Sequence, residues 1–257
     1  MQGGIPNIIY GQYGDELKVS SNKGGITLGT RMVMPNGDEY VFAQCSSTAT
    51  LAKGRLVTCA AIDWAETANV VTASTGAYTM AVTLGATAEV THNEYEDGTL
   101  WVYKGSASGT NGSHGEWTII KGNTPALASE TTTISLYQSN PCSSALSAAT
   151  VQIKQNPYKG VLLTAAATAQ VGHIAGVTAA SCAASQYLWL QKKGEGVCIA
   201  GSAIAVGELL IVSAASAGYC NRWTAGADTT TNSQVIGRAN ALVTTAGDYC
   251  LVDLALE

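Results

Sequence analysis

The chain contains few charged residues. Asp, Glu, Lys and Arg make up 12% of its 257 residues, against about 25% in an ordinary soluble domain. The 13 basic side chains nowhere form a run of five, and the net charge is −5. A protein that holds nucleic acid needs clustered Lys and Arg to displace counterions from phosphates. The sequence therefore predicts no nucleic-acid partner. Its surface should consist largely of Ser, Thr, Gly and Asn, which suits lasting contact with neighbouring proteins and equally an extracellular β protein.

Long hydrophobic runs are also missing. No stretch approaches the roughly 18 apolar residues that a membrane-spanning helix needs, and the most apolar segment, residues 203–220, is interrupted by Gly207, Glu208 and several serines. The first six residues contain neither a basic region nor an apolar core of the kind that begins a secretory signal. We therefore expect no membrane association and no signal peptide in this sequence.

Motifs of catalysis and cofactor binding are absent from the sequence. It contains no G-x-S-x-G elbow, no phosphate-binding G-x-x-x-x-G-K-[ST] loop and no G-x-G-x-x-G that opens a helix. His92, His114 and His173 are too far apart in sequence to form a metal motif. We expect His114 to be exposed and His173 to be partly buried. The prediction is a protein without enzymatic activity, metal or cofactor, although a hydrolase with an unrecognised site is the last alternative.

The only cluster of acidic residues spans residues 94–97. Paired carboxylates serve glycoside hydrolysis or calcium binding. Here they directly precede an Asp-Gly turn, so a solvated loop is the preferred interpretation.

The seven cysteines contain no C-x-x-C pair, which argues against a zinc ribbon or a thioredoxin-like site. Their number is odd, and a chain of this length can build a core without disulfides. We therefore predict buried, reduced thiols. A disulfide between Cys220 and Cys250 is the alternative that the sequence leaves open.

Strand patterns dominate the chain. Residues 99–103 and 116–120 are rich in β-branched and aromatic side chains and flank an insert of turn formers, which predicts a hairpin with its tip at 105–115. Residues 33–42 predict a second hairpin. Residues 186–199 predict a strand, a turn at 193–196 and another strand. In residues 249–257, alternation predicts that one face is directed toward a core. That face consists of Cys250, Val252, Leu254 and Leu256.

Together these patterns predict an all-β fold of two sandwich-like or barrel-like modules with long Gly/Ser-rich loops. Asn140-Pro141 disfavours helix and is hard to place inside a sheet, so we place the module boundary there. The predicted division is an N-terminal arm at 1–25, one module at 26–140 and a second module at 141–257. The arm surrounds one apolar patch with glycines, and it either adds a strand to a neighbouring subunit or forms the first strand of its own sheet. That patch consists of Ile8, Ile9 and Tyr10.

Aromatic residues are sparse, with five Trp, eleven Tyr and one Phe, and several of them fall in the strand patterns. Trp and Tyr provide a large contact area at low entropic cost. We predict an assembly interface that combines the apolar patch of the arm with aromatic residues. A carbohydrate-binding platform and ordinary cross-strand packing are the alternatives. The candidate interface residues are Ile8, Ile9, Tyr10, Trp101, Tyr103, Trp117 and Trp189.

Four segments resemble structural proteins of tailed bacteriophages. They are the stretch that ends in Gly54-Arg55-Leu56-Val57, the hairpin at 97–123, the segment at 187–197 and the segment Val235-Ile236-Gly237-Arg238-Ala239. In the hairpin, Trp117 stands where the family pattern has Tyr. The likeness spans most of residues 30–257 and is carried by glycines and strand residues.

The resemblance implies a capsid decoration protein, also called a cement protein. Such a protein binds the exterior of the virion head, has the major capsid protein as its partner and clamps neighbouring capsomers. The implied fold is β-sandwich or barrel modules, and the implied assembly is a homo-oligomer, with a trimer favoured. Synthesis would take place in the cytoplasm of the bacterial host. The alternatives are another virion component, such as a tail-tube or fibre protein, and a carbohydrate-binding β module.

Overall fold

The computed structural model describes residues 7–59, 69–86, 89–104, 117–137, 142, 145–165, 172–224 and 234–256. These residues form seventeen strands and one 3-10 helix at Asp15–Leu17, which confirms the all-β prediction. Within them, no helix is long and apolar enough to cross a membrane. The strands are β1 Ile8–Tyr10, β2 Arg31–Val33, β3 Glu39–Cys45, β4 Leu56–Thr58, β5 Asn69–Ala73, β6 Thr79–Thr83, β7 Thr99–Lys104, β8 Trp117–Asn123, β9 Thr131–Leu136, β10 Leu146–Lys154, β11 Lys159–Leu163, β12 Ile174–Thr178, β13 Tyr187–Ile199, β14 Leu209–Val212, β15 Cys220–Arg222, β16 Val235–Ala239 and β17 Tyr249–Ala255.

The chain divides into two compact units, and one is inserted into the other. Ile62–Asn156 forms the inserted unit, while Met1–Ala61 and Pro157–Glu257 together form the second unit. This division differs from the predicted boundary at Asn140-Pro141. That dipeptide falls between β9 and β10, which both belong to the inserted unit. Asn140 and Pro141 themselves lie outside the described residues.

The inserted unit is a closed barrel with the strand order β10-β5-β6-β9-β8-β7. Along β7 and β8, alternate residues point inward. Leu100, Val102 and Ile120 are fully buried, while Trp117 and Ile119 are exposed. The predicted hairpin is confirmed, since β7 and β8 pair antiparallel. Its predicted tip at 105–115 lies outside the described residues.

The second unit is built on an eleven-stranded sheet with the order β1-β2-β3-β11-β4-β12-β13-β17-β16-β14-β15. The predicted hairpin at residues 33–42 is confirmed by the antiparallel pairing of β2 and β3. The predicted face of the last strand is also confirmed. Its members, Cys250, Val252, Leu254 and Leu256, are all buried.

The prediction of a hairpin within residues 186–199 is wrong, because β13 is one continuous strand. Its first half pairs with β3 and its second half with β17, and the register shifts between Gln191 and Lys193. The buried Gln191 side chain spans this irregularity and donates a hydrogen bond from Nε2 to the carbonyl of Glu195 at 3.0 Å. Gly194 adopts φ 91°, and a Cβ there would overlap the Asp38 carboxylate. Gly194 and Gly196 therefore make room for the side chains of Asp38 and Gln191 within one long strand, and the sequence pattern cannot distinguish this role from a turn.

All seven cysteines are buried free thiols, including Cys220 and Cys250. Cys198 lies opposite Cys250 in the ladder between β13 and β17. The hydrogen bond with Cys220 and the burial of the group hold the pKa of Cys198 well above its usual range. Burial raises the pKa of Cys250 to about 11 and that of Cys182 to about 12. At neutral pH these thiols are protonated, and a protonated thiol is a poor nucleophile.

Candidate binding surfaces

The acidic segment at residues 94–97 is a packed turn, so the predicted solvated loop is wrong for Tyr95 and Asp97. Tyr95 and Asp97 are buried. Asp97 has φ 60°, its N–H donates to the carbonyl of Ile120 at 2.9 Å, and its Oδ1 accepts from the Tyr137 hydroxyl at 2.8 Å. Burial, together with this hydrogen bond, raises the pKa of Tyr137. The cluster thus closes one end of the β7–β8 hairpin.

Asn123, at the end of β8, organises the same turn and was not recognised as important from the sequence. Its Oδ1 accepts from the Tyr95 N–H at 2.9 Å, while its Nδ2 donates to the carbonyls of Thr91 and Thr124 at 2.8 and 3.1 Å. Only 4% of Asn123 is exposed. The available signal was its place at the end of the segment 97–123, where a polar residue closes an alternating strand.

The two histidines among the described residues do not form a site. His92 and His173 are exposed, so the prediction of a partly buried His173 is wrong. His114 lies outside the described residues. Among the residues that the structure does describe, no group of three or more His, Cys, Asp or Glu side chains is placed to hold a metal ion.

The predicted interface residues Trp101 and Trp117 are brought together on the outer face of the barrel. They lie opposite each other in the β7–β8 ladder. The Ile120 N–H donates to the Gly98 carbonyl, so Gly98 and Ile120 form a hydrogen-bonded pair. Hydrogen-bonded pairs then recur at every second position along the ladder. Trp101 and Trp117 therefore occupy a pair without hydrogen bonds, the type in which facing side chains lie closest.

The face around these tryptophans is mixed in character. Trp117 is 61% exposed and Trp101 is partly exposed. Thr99 and Ile119 form the neighbouring outward pair on the same hairpin. On the adjacent strand, Gln152 lies opposite Trp101 and Lys154 lies opposite Thr99. We call this surface the aromatic barrel face, and it consists of Thr99, Trp101, Trp117, Ile119, Gln152 and Lys154. Tyr103 belongs to β7, but its side chain lies outside the described part of the chain.

Trp189 does not contribute to a surface. It is 5% exposed and packs against Phe42, with ring centroids 5.0 Å apart. Phe42 in turn stacks on Tyr187 at 5.6 Å. This burial corrects the assignment of Trp189 to the candidate interface. The residue belongs to a core cluster because its strand, β13, lies in the middle of the sheet rather than at an exposed hairpin.

The apolar patch of the N-terminal arm forms a strand of its own sheet. β1 pairs parallel with β2, so that Ile9 lies opposite Met32. Ile9 is partly buried against the core, whereas Ile8 and Tyr10 are exposed. Of the two interpretations of the arm, the structure supports the first strand of the local sheet. We call the outer side of this strand the β1 edge.

Two surfaces thus remain from the predicted interface, the aromatic barrel face and the β1 edge. Both present apolar side chains and polar groups without a cluster of ionised residues, which suits binding to another molecule by contact. Comparison with known proteins finds no family model that matches the chain, no curated protein of significantly similar sequence and no solved structure of significantly similar fold.

Proposed function

We propose that this chain is a structural protein of a tailed-bacteriophage virion, which binds the outside of the head and stabilises contacts between capsomers. The resemblance of four segments to phage structural proteins supports this proposal. The observation that carries it in the structure is the aromatic barrel face, where Trp117 is largely exposed to solvent beside Trp101. The proposed partner is the major capsid protein.

The physical requirements of a cement protein fit the two units. Such a protein resists the outward pressure of packaged DNA by adding buried area between capsomers, and it needs rigid surfaces rather than a cleft. Closed barrels provide rigid surfaces because each strand is held by backbone hydrogen bonds on both sides, and the same is true of the inner strands of a large sheet. Full burial of a large apolar side chain contributes about 1.5–3 kcal/mol, so an exposed tryptophan is a plausible centre of such a contact.

Replacing Trp117 by alanine should weaken binding to heads at least about tenfold, since tryptophan is the residue most often found at the energetic centre of interfaces. The measurement is co-sedimentation of the purified chain with heads made from the major capsid protein of the same virus. Leu127→Ala is the matched control, because Leu127 is 60% exposed in the same unit but lies outside the aromatic barrel face. The control should bind as the unchanged protein does. Neither substitution should change the melting temperature by more than about 2 °C.

Two results would contradict the head-binding proposal. One is a chain that does not sediment with heads at any concentration tested. The other is the finding that heads without the chain are as resistant to heat and EDTA as complete heads are. Rings or stacks of the purified chain under the electron microscope would instead favour a tail-tube protein.

A carbohydrate-binding module is the second candidate, and the composition of the aromatic barrel face favours it. Indole rings pack against the C–H faces of sugars, while hydroxyl, amide and ammonium groups provide hydrogen bonds. Thr99, Gln152 and Lys154 place such groups next to Trp101.

On a glycan array this candidate predicts binding that Trp117→Ala reduces at least about tenfold and that Leu127→Ala leaves unchanged. An array without signal for the unchanged protein, at concentrations where head binding is measurable, would remove the carbohydrate candidate. It would leave the virion proposal intact.

A further inference from the structure

β1 lies at the end of the eleven-stranded order, and its outer edge is open among the described residues. The Arg31 N–H donates to the Asn7 carbonyl at 2.9 Å, and the Gly11 N–H donates to the Val33 carbonyl at 3.0 Å. Backbone groups of successive residues in a strand point to opposite sides. Residues 7, 9 and 11 therefore face β2, and the N–H and C=O groups of Ile8 and Tyr10 point away from the sheet.

The side chains at this edge are apolar and exposed. Ile8 is 44% exposed and Tyr10 is 86% exposed, while Ile9 on the opposite face contacts the core. Residues 7–14 contain no charged side chain and no proline. Natural proteins protect sheet edges with charges, prolines or bulges, because an open apolar edge is a template for another strand.

The other end of the same sheet is protected. In β15, the carbonyl of Cys220 accepts a hydrogen bond from the Gly201 N–H at 2.7 Å. Arg222 contributes a charge at this end and lies 3.9 Å from the Glu208 carboxylate. The contrast between the two ends of one sheet indicates that the open β1 edge is a binding feature rather than a general property of the fold.

We propose that the β1 edge binds the β1 edge of a second copy of this chain. In an antiparallel arrangement around a twofold axis at Ile9, Ile8 lies opposite Tyr10 of the partner subunit, and each such pair exchanges both backbone hydrogen bonds. Ile8 and Tyr10 of the two copies then form one apolar cluster on the face opposite Ile9. The two sheets join into a single continuous sheet.

A second copy is favoured over a foreign strand because the edge is complementary to itself. A twofold interface requires the same surface to match itself, so that apolar meets apolar and no charge meets a like charge. Ile8, Ile9 and Tyr10 satisfy the first condition, and Asn7 to Tyr10 carry no charge, which satisfies the second. The interface gives pairs of subunits rather than the trimer that the phage resemblance implies, and the mass of the assembly distinguishes them.

The test is sedimentation-velocity ultracentrifugation of the full chain from about 1 to 100 µM, a range that covers weak and moderate dimers. We expect the sedimenting mass to rise from one chain to two across this range. Tyr10→Pro removes both the outward N–H and the exposed tyrosine ring, and Ile8→Lys places a charge on the edge. Each should raise the dissociation constant at least about tenfold. Val206→Lys is the matched control, because Val206 is 64% exposed in the same unit but lies outside the β1 edge.

Circular dichroism verifies that each variant is folded. If Tyr10→Pro does not fold, the result for Ile8→Lys decides the test. Three outcomes would overturn the proposal: a monomer at about 100 µM, a trimer, or dimerisation of Ile8→Lys equal to that of the unchanged chain. This inference does not depend on head binding. A monomeric Ile8→Lys variant that still sediments with heads would leave the proposed virion function standing and separate the two surfaces.

Discussion

Gly237→Ala should lower the free energy of unfolding by about 3 kcal/mol or more. Gly237 lies within β16 with φ 155°, between Leu210 of β14 and Leu254 of β17. A Cβ at this position would overlap the carbonyl oxygen of Asp253 and lie 2.9 Å from its carbon. Because these are backbone atoms paired on both sides, they cannot move aside without breaking the ladder. Urea unfolding followed by far-ultraviolet circular dichroism measures the loss.

Gly247→Ala is the control that separates crowding from backbone conformation. Gly247 also has a positive φ, 96°, but a Cβ there would meet nothing within 4 Å. Only the unfavourable conformation of an L-residue then contributes, which is about 1–2 kcal/mol. Equal losses for the two variants would contradict the explanation, because crowding against Asp253 would then have no measurable effect.

Local patterns were sufficient to predict the all-β class and several strands. The alternation of Cys250, Val252 and Leu254 correctly identifies a half-buried strand, because one face of β17 contacts the core. The β-branched and aromatic residues at 99–103 also correctly predict a strand, β7. Patterns of both kinds depend only on residues that are neighbours in sequence.

Long-range pairing could not be predicted from the same patterns. The sheet unit is completed only when residues 157–257 return after the barrel, so β11 pairs with both β3 and β4 across the whole insertion. Asn140-Pro141 falls in sequence between two strands of the barrel, and a turn-forming dipeptide alone does not tell a position within a unit from a boundary between units. The glycines at 194 and 196 present the same difficulty, since glycine is required both in a turn and where another side chain approaches the backbone of a strand closely.

The candidate interface was partly predictable. Trp117 is exposed because it occupies the outward position of a barrel hairpin, and Trp189 is buried because β13 has paired strands on both sides and a core cluster next to it. Both residues stand in similar strand patterns. A tryptophan in such a pattern therefore indicates a strand, while its exposure depends on where the strand lies in the sheet.

Asn123→Ala should also lower the free energy of unfolding by about 3 kcal/mol. The alanine removes the acceptor used by the Tyr95 N–H and the donor used by the carbonyls of Thr91 and Thr124. Loss of a partner for a buried polar group costs about 1–3 kcal/mol, and at least the Tyr95 contact lies entirely in the interior. The expected change is a lower urea midpoint, measured by circular dichroism, together with faster amide exchange at Tyr95.

Lys121→Ala is the matched control for Asn123→Ala, since Lys121 lies two residues earlier in β8 and is exposed. It should change the free energy of unfolding by no more than about 0.5 kcal/mol. The turn at residues 91–98 leads directly into β7, which carries Trp101. Loss of Asn123 should therefore also reduce binding through the aromatic barrel face. A variant that keeps full stability and full binding would show that the Asn123 side chain does not hold this turn, and that the position of Trp101 is set by the β7–β8 ladder alone.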